Sequence, residues 1–140
     1  MKYRMDASPS DDDITAIRQG LKQSNAPFLA GLPEGTLAGY AYNDNDERIG
    51  GIVANTWGQW LLIKYLWVDD AFRHRHVGSH LLDNLEEYAK DIGCKMAFVD
   101  TFSFQARPFY EKHGYQCQMT LTDYPVDHAL HFMTKVLNEA

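Results

Sequence analysis

The chain has 140 residues, a formal net charge of −6 at pH 7 and 45% hydrophobic residues. That length suits a single domain, residues 1–140, with its own hydrophobic core, and the composition excludes a disordered chain. The acidic charge excludes a protein whose main partner is nucleic acid, because such proteins carry a basic face.

No apolar run is long enough to cross a membrane, and the N-terminal residues lack the apolar core of a signal peptide. The two cysteines, Cys94 and Cys117, lie in segments typical of strands, so we expect free thiols in or near the core. A cytoplasmic protein without a membrane partner is therefore the expectation, because disulfides are rare in that reducing compartment.

The first predicted elements are a short strand over residues 2–6 and a helix after it. Ser8 or Ser10 is the predicted N-cap of the helix, since a serine hydroxyl accepts from free N–H groups there. The acidic residues 11–13 suit the positive end of the helix dipole. A loop is predicted over residues 25–35, which contain two prolines and two glycines. The apolar face of the helix is Ile14, Ile17 and Leu21.

Three strand-like runs follow, over residues 36–44, 48–57 and 59–68. Turn residues separate the first two, and Gly58 separates the second from the third, so the pattern predicts an antiparallel meander. The third run is almost entirely apolar, which predicts a central strand covered on both faces.

The second half of the chain alternates helices and strands. A helix is predicted over residues 77–92 and ends at Gly93, and a strand over residues 94–102 follows it. A short helix over residues 105–113 ends at Gly114, and two strands close the chain. The order is β-α-βββ-αβ-αββ, which indicates an α/β (α+β) fold with a mixed, mainly antiparallel sheet and flanking helices. The predicted buried stripe of the longer helix is Val77, Leu81, Leu82, Leu85, Ala89 and Ile92.

A basic turn precedes this helix, and it is unusual in an acidic chain. A helix N-terminus offers unpaired N–H groups and a partial positive charge, which together bind anions. Gly78 lets the backbone come close to a ligand, and the arginines suit phosphate geometry. The pattern predicts a phosphate or pyrophosphate site. Its residues are Arg73, His74, Arg75, His76, Val77, Gly78 and Ser79.

Two other interpretations of this turn stay open. One is a solvated basic turn without a ligand. The other is a metal site, because His76 and His80 stand four residues apart on a helix and His74 and Asp83 are further possible ligands.

Residues 66–82 resemble motif A of the GNAT superfamily, the GCN5-related N-acetyltransferases. That motif is a strand end, then Arg/Gln-x-x-Gly-x-Gly/Ala, then a helix. Arg73 stands at its first position and Gly78 at its last, whereas His76 replaces the middle glycine. A second match is residues 106–115, which are similar to the family segment A-x-x-F-Y-E-K-x-G-F/Y.

The resemblance implies acetyl-CoA as co-substrate. It implies that the third strand diverges from the strand at 94–101 and that the pantetheine arm pairs with backbone in the wedge, near Leu66, Trp67 and Val68. The pyrophosphate then falls to the turn at 73–79. Ser103 stands where the family often has an asparagine that contacts CoA.

Tyr110 matches the family tyrosine that approaches the CoA sulfur, so the resemblance implies a general acid. The general base is left open among Asp100, His128 and Glu34. Several aromatic and polar residues are candidates for an acceptor pocket or for sheet packing: Tyr40, Tyr42, Trp57, Gln59 and Trp60.

The implied function is direct transfer of an acetyl group to a primary amine of a small molecule or protein. A homodimer is a further expectation. Two alternatives stay open, a catalytically silent module that binds acyl-CoA and a metal-binding protein that uses the histidines of the turn.

Overall fold

The computed structural model describes residues 1–138 and divides into two units, Met1–Leu32 and the part from Pro33 onward. The first unit contains helix α1, Asp11–Leu29. Ser10 is its N-cap, because the Ser10 hydroxyl accepts from the backbone N–H of Asp13 at 3.1 Å. The predicted start of this helix and its acidic first turn are confirmed.

Two predictions for the first unit are wrong. Residues 2–6 form no strand; charged residues at 2, 4 and 6 leave only two apolar side chains, too little for a buried strand face. Helix α1 also continues through the first part of the predicted loop and contains Pro27. Proline removes one N–H and crowds the carbonyl four residues before it. Pro27 lies in the last turn, and the helix ends two residues later at Leu29, before Gly31 takes a positive φ of 83°.

The second unit is built on a six-stranded sheet with strand order β1-β2-β3-β4-β6-β5. The first three strands form the predicted antiparallel meander, and within residues 1–138 only β3 and β4 pair in parallel. The strands are β1 Glu34–Tyr42, β2 Arg48–Trp57, β3 Trp60–Val68, β4 Met96–Phe102, β5 Gln116–Leu121 and β6 Leu130–Val136.

Strands β3 and β4 diverge soon after they begin. Their pairing covers three positions and ends at Leu62 opposite Phe98. The predicted wedge between these strands is therefore confirmed. Residues 63–68 of β3 have no β4 partner, so their backbone donors and acceptors on that side are open to another partner.

Helix α2, Val77–Asp91, lies on one face of the sheet and buries Leu81, Leu82, Leu85 and Ala89. Ile92 is 52% exposed, so its place in the predicted stripe is wrong. It follows the last helical residue, where the chain turns toward Gly93 at φ 101° and no longer keeps the helical spacing.

Along its second half, strand β3 is covered on just one of its two faces. Leu61 and Ile63 are buried, whereas Lys64 and Tyr65 are exposed, so the predicted cover on both faces is wrong there. A 3-10 turn at Asp70–Phe72 leads into α2, and helix α3, Arg107–Lys112, follows β4. Cys94 is buried and Cys117 half-buried, and both are free thiols as predicted.

Candidate active site

A cleft of about 890 Å³ opens where β3 and β4 diverge. Four segments form its walls: the end of β3, the turn into α2, the segment after β4, and α3. The cleft is lined by residues 66–68, 72–74, 76–79 and 104–106 and by Pro108, Phe109, Lys112 and His113. The structure thus brings the end of β3 and the turn at 73–79 to one site.

Most of the predicted cofactor residues line this cleft, and two do not. The guanidinium of Arg75 lies over the ring of Phe72, 5.5 Å from its centre. Ser103 binds the chain next to β6, because its hydroxyl accepts from the N–H of Ala129 at 3.1 Å and its own N–H donates to the Ala129 carbonyl at 2.8 Å. Both residues therefore lie beside the cleft, outside its lining.

The turn before α2 has two residues in the left-handed region, His74 at φ 65° and His76 at φ 63°. Glycine adopts that conformation at the lowest cost, which explains why the family motif has glycine at the position of His76. His76 is the N-cap of α2 and forms no side-chain capping bond. The N–H groups of the first helical turn thus have no capping side chain and remain available to an anion.

Gly78 lies in the first turn of α2 and faces α3 and the end of β3. A Cβ at Gly78 would lie 3.5 Å from the ring of Phe109 and 3.8 Å from a methyl group of Val68. Both separations are ordinary contacts, so the position accommodates a small side chain. The packing around Gly78 therefore does not by itself require a glycine.

The cleft gathers positive charge from two sides. Arg73 lines it and forms an exposed ion pair with Asp70, Nε to Oδ1 at 3.0 Å. Lys112 lines it from α3, and the sequence interpretation missed this residue. A lysine one helix away from the basic turn gives no local pattern, so only the packing of α3 reveals its place.

His113 links α3 to α2 at the floor of the cleft. Its Nε2 lies 3.0 Å from the hydroxyl of Ser79, and its Nδ1 lies 3.4 Å from a carboxylate oxygen of Asp83. The ring of Phe109 is 4.7 Å from the imidazole. The hydrogen bond to His113 orients the Ser79 hydroxyl at the start of α2.

Tyr110 is 4% exposed, and its ring packs edge-on against Phe109 and Tyr115. Burial, assisted by the negative charge of Asp100, raises the pKa of Tyr110 to about 12. The phenol therefore keeps its proton at neutral pH. Within residues 1–138 its hydroxyl has no hydrogen-bond partner, so this proton is available to a ligand.

The three candidate bases occupy different places. Asp100 lies on β4 two residues beyond Phe98, the last β4 residue paired with β3, and its exposed carboxylate forms no ion pair with the described residues. Glu34 lines a separate depression beside Trp57. His128 packs against the ring of Phe104 at 4.7 Å. Of the three, Asp100 belongs to the diverging strands themselves and acts electrostatically on Tyr110.

The candidate acceptor residues divide between two ends of the sheet. Trp57 and Trp60 are opposite each other at the hairpin where β3 begins, next to Gln59. Tyr40 and Tyr42 lie at the other end, where β3 finishes. Of these five residues, the two tyrosines lie at the same end of the strands as the open part of the wedge, two strands away from it.

Among residues 1–138, no group of three or more His, Cys, Asp or Glu side chains is arranged to hold a metal ion. None of the helices in the same range combines the length and the hydropathy of a membrane span.

Comparison with known proteins places these features in a family. Residues 3–115 match the model of the acetyltransferase (GNAT) family. The chain is 35% identical over 128 residues to blasticidin-S acetyltransferase of Streptomyces morookaense. The aligned region covers 91% of this chain and 93% of that protein. The crystal structure of an acetyltransferase from Bacillus cereus superposes with a TM-score of 0.87 at 32% identity, over 95% of this chain and 97% of that one.

A more distant structure has the same fold. The aminoglycoside 6'-N-acetyltransferase complexed with coenzyme A superposes with a TM-score of 0.67 at 17% identity, over 94% of this chain and 83% of that one.

Proposed function

This chain belongs to the GNAT family of acetyltransferases and so is an acyltransferase with acetyl-CoA as its co-substrate, and we propose that its acceptor is a primary amine of a small molecule. The observation that carries the acetyl transfer is the wedge between β3 and β4, which opens onto a cleft whose N–H groups and cationic side chains suit acetyl-CoA. A small-molecule acceptor is supported by the relative from Streptomyces morookaense, which is named for blasticidin S.

The residues of the cleft suit the two halves of acetyl-CoA. The open backbone edge of β3 at residues 63–68 suits the amide groups of the pantetheine arm. The N–H groups at the start of α2 and the charges of Arg73 and Lys112 suit the pyrophosphate. Ser79, oriented by His113, adds a hydroxyl to the same end. Arg75 and Ser103 remain proposed contacts from outside the lining.

The chemistry assigns a proton to each of two side chains. Asp100 is the proposed base, which removes a proton from the bound ammonium so that its nitrogen has a free electron pair. The nitrogen then bonds to the thioester carbon while the carbon–sulfur bond breaks and its electron pair goes to sulfur. Tyr110 donates its proton to that sulfur and is reprotonated by the proton that the new amide nitrogen releases. The products are an N-acetyl amide, the CoA thiol and one proton.

The test combines acetyl-CoA with a panel of amines that includes blasticidin S, an aminoglycoside and a lysine peptide. Release of the CoA thiol and the mass of the product are measured. The proposal expects acetylation of at least one small-molecule amine. Transfer only to the peptide would contradict the small-molecule acceptor. Binding of acetyl-CoA without transfer to any amine of the panel would contradict these acceptors and favour the alternative of a module that only binds acyl-CoA.

The proposal extends to a homodimer in the cytoplasm. The free thiols of Cys94 and Cys117 suit a reducing compartment. Strands β1 and β5 end the sheet, and each has one edge without a strand partner within the described chain, where a second copy can pair. Light scattering during size-exclusion chromatography measures the mass, and the mass of a single chain at micromolar concentration contradicts the dimer.

A further inference from the structure

The face of the sheet opposite α2 carries three aligned positions near the wedge. A Cβ at Gly39 or Gly50 would contact the side chain of Leu81, so these glycines face α2. Successive residues of a strand point to opposite faces. Tyr40 and Gly51, the next residues along, therefore face away from α2, and Trp67 shares their face because it lies directly opposite Gly51.

These three positions form a row with a gap in its middle. Tyr40 is opposite Gly51 on β2, and Gly51 is opposite Trp67 on β3. Neighbouring strands lie about 4.8 Å apart, so the two aromatic residues begin about 9.6 Å from each other. Gly51 has no side chain between them. The space suits a flat ring in van der Waals contact with both walls, which needs about 7–8 Å between them.

The two aromatic side chains are accessible to solvent, and Arg48 stacks on one of them, Tyr40. Tyr40 and Trp67 are each 52% exposed. The guanidinium of Arg48 lies over the Tyr40 ring, 4.3 Å from its centre, and donates to the hydroxyl of Tyr42 at 3.5 Å. Among residues 1–138 no other aromatic ring stacks on Trp67. The Trp67 ring thus has a face available to a ligand.

The charged side chains on either side of the row would orient the ammonium group of a bound amine. Arg48 stands at the end of β2 beyond Tyr40 and repels an ammonium group. The exposed carboxylate of Asp100 is at the wedge, and it attracts one. The wedge lies one and a half strand spacings, about 7 Å, to the side of β2. A ligand whose ring lies over Gly51 therefore needs a spacer of about that length to bring its nitrogen to the wedge beside Trp67. Because Leu62 pairs with Phe98, Asp100 is level with Lys64, three residues before Trp67, so Asp100 attracts the ammonium group from further along the wedge.

We propose that Tyr40, Gly51 and Trp67 form a slot for the acceptor of the reaction, and that this acceptor is a primary amine joined to a flat conjugated ring by a spacer of about 7 Å. The ring stacks between Tyr40 and Trp67, and the ammonium group lies in the wedge beside Trp67. This inference rests on the proposed acetyl transfer and adds the substrate class. Trp67 has a place in both sites, because it also lines the cofactor cleft.

The slot is tested first by binding. The protein is saturated with CoA, and the dissociation constants of 4-phenylbutylamine and 4-cyclohexylbutylamine are measured by calorimetry. The two amines have equal spacers, and only the first has a flat ring. We expect the phenyl compound to bind about fivefold more tightly, since aromatic stacking adds affinity beyond area. Benzylamine, with the same ring and a shorter spacer, should bind more weakly than 4-phenylbutylamine.

Three variants separate the slot from general effects. Gly51→Val fills the floor, and Tyr40→Leu removes one wall without adding bulk. Each should abolish the preference for the phenyl compound. Gly35→Val is the matched control, because it places the same side chain in the same sheet against Thr56, at the far end of β1; it should keep the preference. If Gly51→Val does not fold, Tyr40→Leu decides.

Two results overturn the slot: equal binding of the phenyl and cyclohexyl amines by the wild type, or a preference that survives in Tyr40→Leu. Turnover with acetyl-CoA separates this inference from the proposed function. A ring preference in binding without acetylation of any amine retains the slot and rejects the transfer. Acetylation without a ring preference retains the transfer and rejects the slot.

Discussion

At the scale of single residues, the Tyr110 hydroxyl keeps its proton at neutral pH, and no neighbour among residues 1–138 forms a hydrogen bond with it. We predict that Tyr110→Phe lowers kcat about a hundredfold, the low end for general acid catalysis. The low end is expected because proton transfer from a donor with a pKa of about 12 to a thiolate, whose thiol has a pKa of about 8.5, is unfavourable. The KM for acetyl-CoA should stay within about threefold.

Stability and pH dependence check the Tyr110 assignment. Removal of an unbonded hydroxyl should leave the melting temperature almost unchanged. Since the pKa of Tyr110 is about 12, its deprotonation should cause no loss of rate in the wild type below about pH 11. Tyr115→Phe is the matched control, and its kcat should be retained. Wild-type turnover in Tyr110→Phe would make this residue a core aromatic only.

The backbone conformation of His76 leads to a second prediction at this scale. Its left-handed conformation costs a non-glycine residue about 1 kcal/mol, whereas glycine loses about 0.5–1 kcal/mol through a freer unfolded chain. His76→Gly should therefore change the free energy of unfolding by less than about 1 kcal/mol and keep or improve the affinity for CoA. Urea unfolding and calorimetry measure the two quantities.

His74→Gly is the control for His76→Gly, because His74 has nearly the same φ, 65°, outside the motif position. A contact between the His76 imidazole and phosphate would give a different result. The affinity of His76→Gly would then fall, and it would fall most at a pH where the imidazole is charged. That outcome would contradict a purely conformational role.

At the scale of elements, the turn between β3 and α2 contains two arginines in different settings. Arg73 lines the cleft, whereas Arg75 lies over Phe72. We predict that Arg73→Ala raises the KM for acetyl-CoA about tenfold, as expected for loss of a charge-assisted contact worth about 1.5 kcal/mol, and leaves kcat nearly unchanged. Arg75→Ala should have a smaller effect.

Salt provides a check on the arginine prediction. Both side chains are near the surface, and salt screens exposed charges over about 10 Å at 0.1 M. The difference between the wild type and Arg73→Ala should therefore shrink as the salt concentration rises. Equal effects of the two substitutions, or a larger one for Arg75→Ala, would remove Arg73 from the phosphate site.

At the scale of the whole molecule, a buried polar cluster connects α2 to Tyr115, the residue before β5, and to β6. Glu86, 4% exposed, accepts from the Tyr115 hydroxyl at 2.7 Å and from Lys135 Nζ at 2.7 Å. Burial, followed by the charge of Glu86 and the hydrogen bond to it, raises the pKa of Tyr115. The pKa of Tyr110 is raised as well.

These raised values predict an alkaline loss of stability. A tyrosine in the unfolded chain has a pKa of about 10, so above that pH the unfolded state loses protons that the folded state retains. The contribution of these tyrosines to the free energy of unfolding should be fully present below about pH 10. At higher pH it should fall by about 1.4 kcal/mol per pH unit for each retained proton. Urea unfolding at about pH 8 and about pH 11 measures it.

Tyr115→Phe isolates the share of this cluster. At about pH 8 the substitution should cost about 1–3 kcal/mol, because Glu86 loses a buried donor. The difference from the wild type should narrow above about pH 10, since the phenylalanine variant lacks one of the titrating groups. A difference that stays constant across this range would contradict the role of Tyr115 in the alkaline transition.

Features that depend on neighbours along the chain were predictable from the sequence alone. The Ser10 cap, the stripe of α2 at 81, 82, 85 and 89, and the turn at 73–79 each follow from patterns within a few residues. The family motifs around Gly78 and Tyr110 are equally local. The errors at 25–29 and Ile92 concern element ends, where local preference is weak, whereas the strand predicted at 2–6 is absent altogether.

Other features were decided only by the tertiary structure. His113 meets Ser79 across 34 positions of sequence, and Lys135 meets Glu86 across 49. The row of Tyr40, Gly51 and Trp67 exists only because strand register aligns three separate strands. No residue in these sets carries a local pattern that indicates its partners, because side chains on different elements come together only when the sheet and the helices pack.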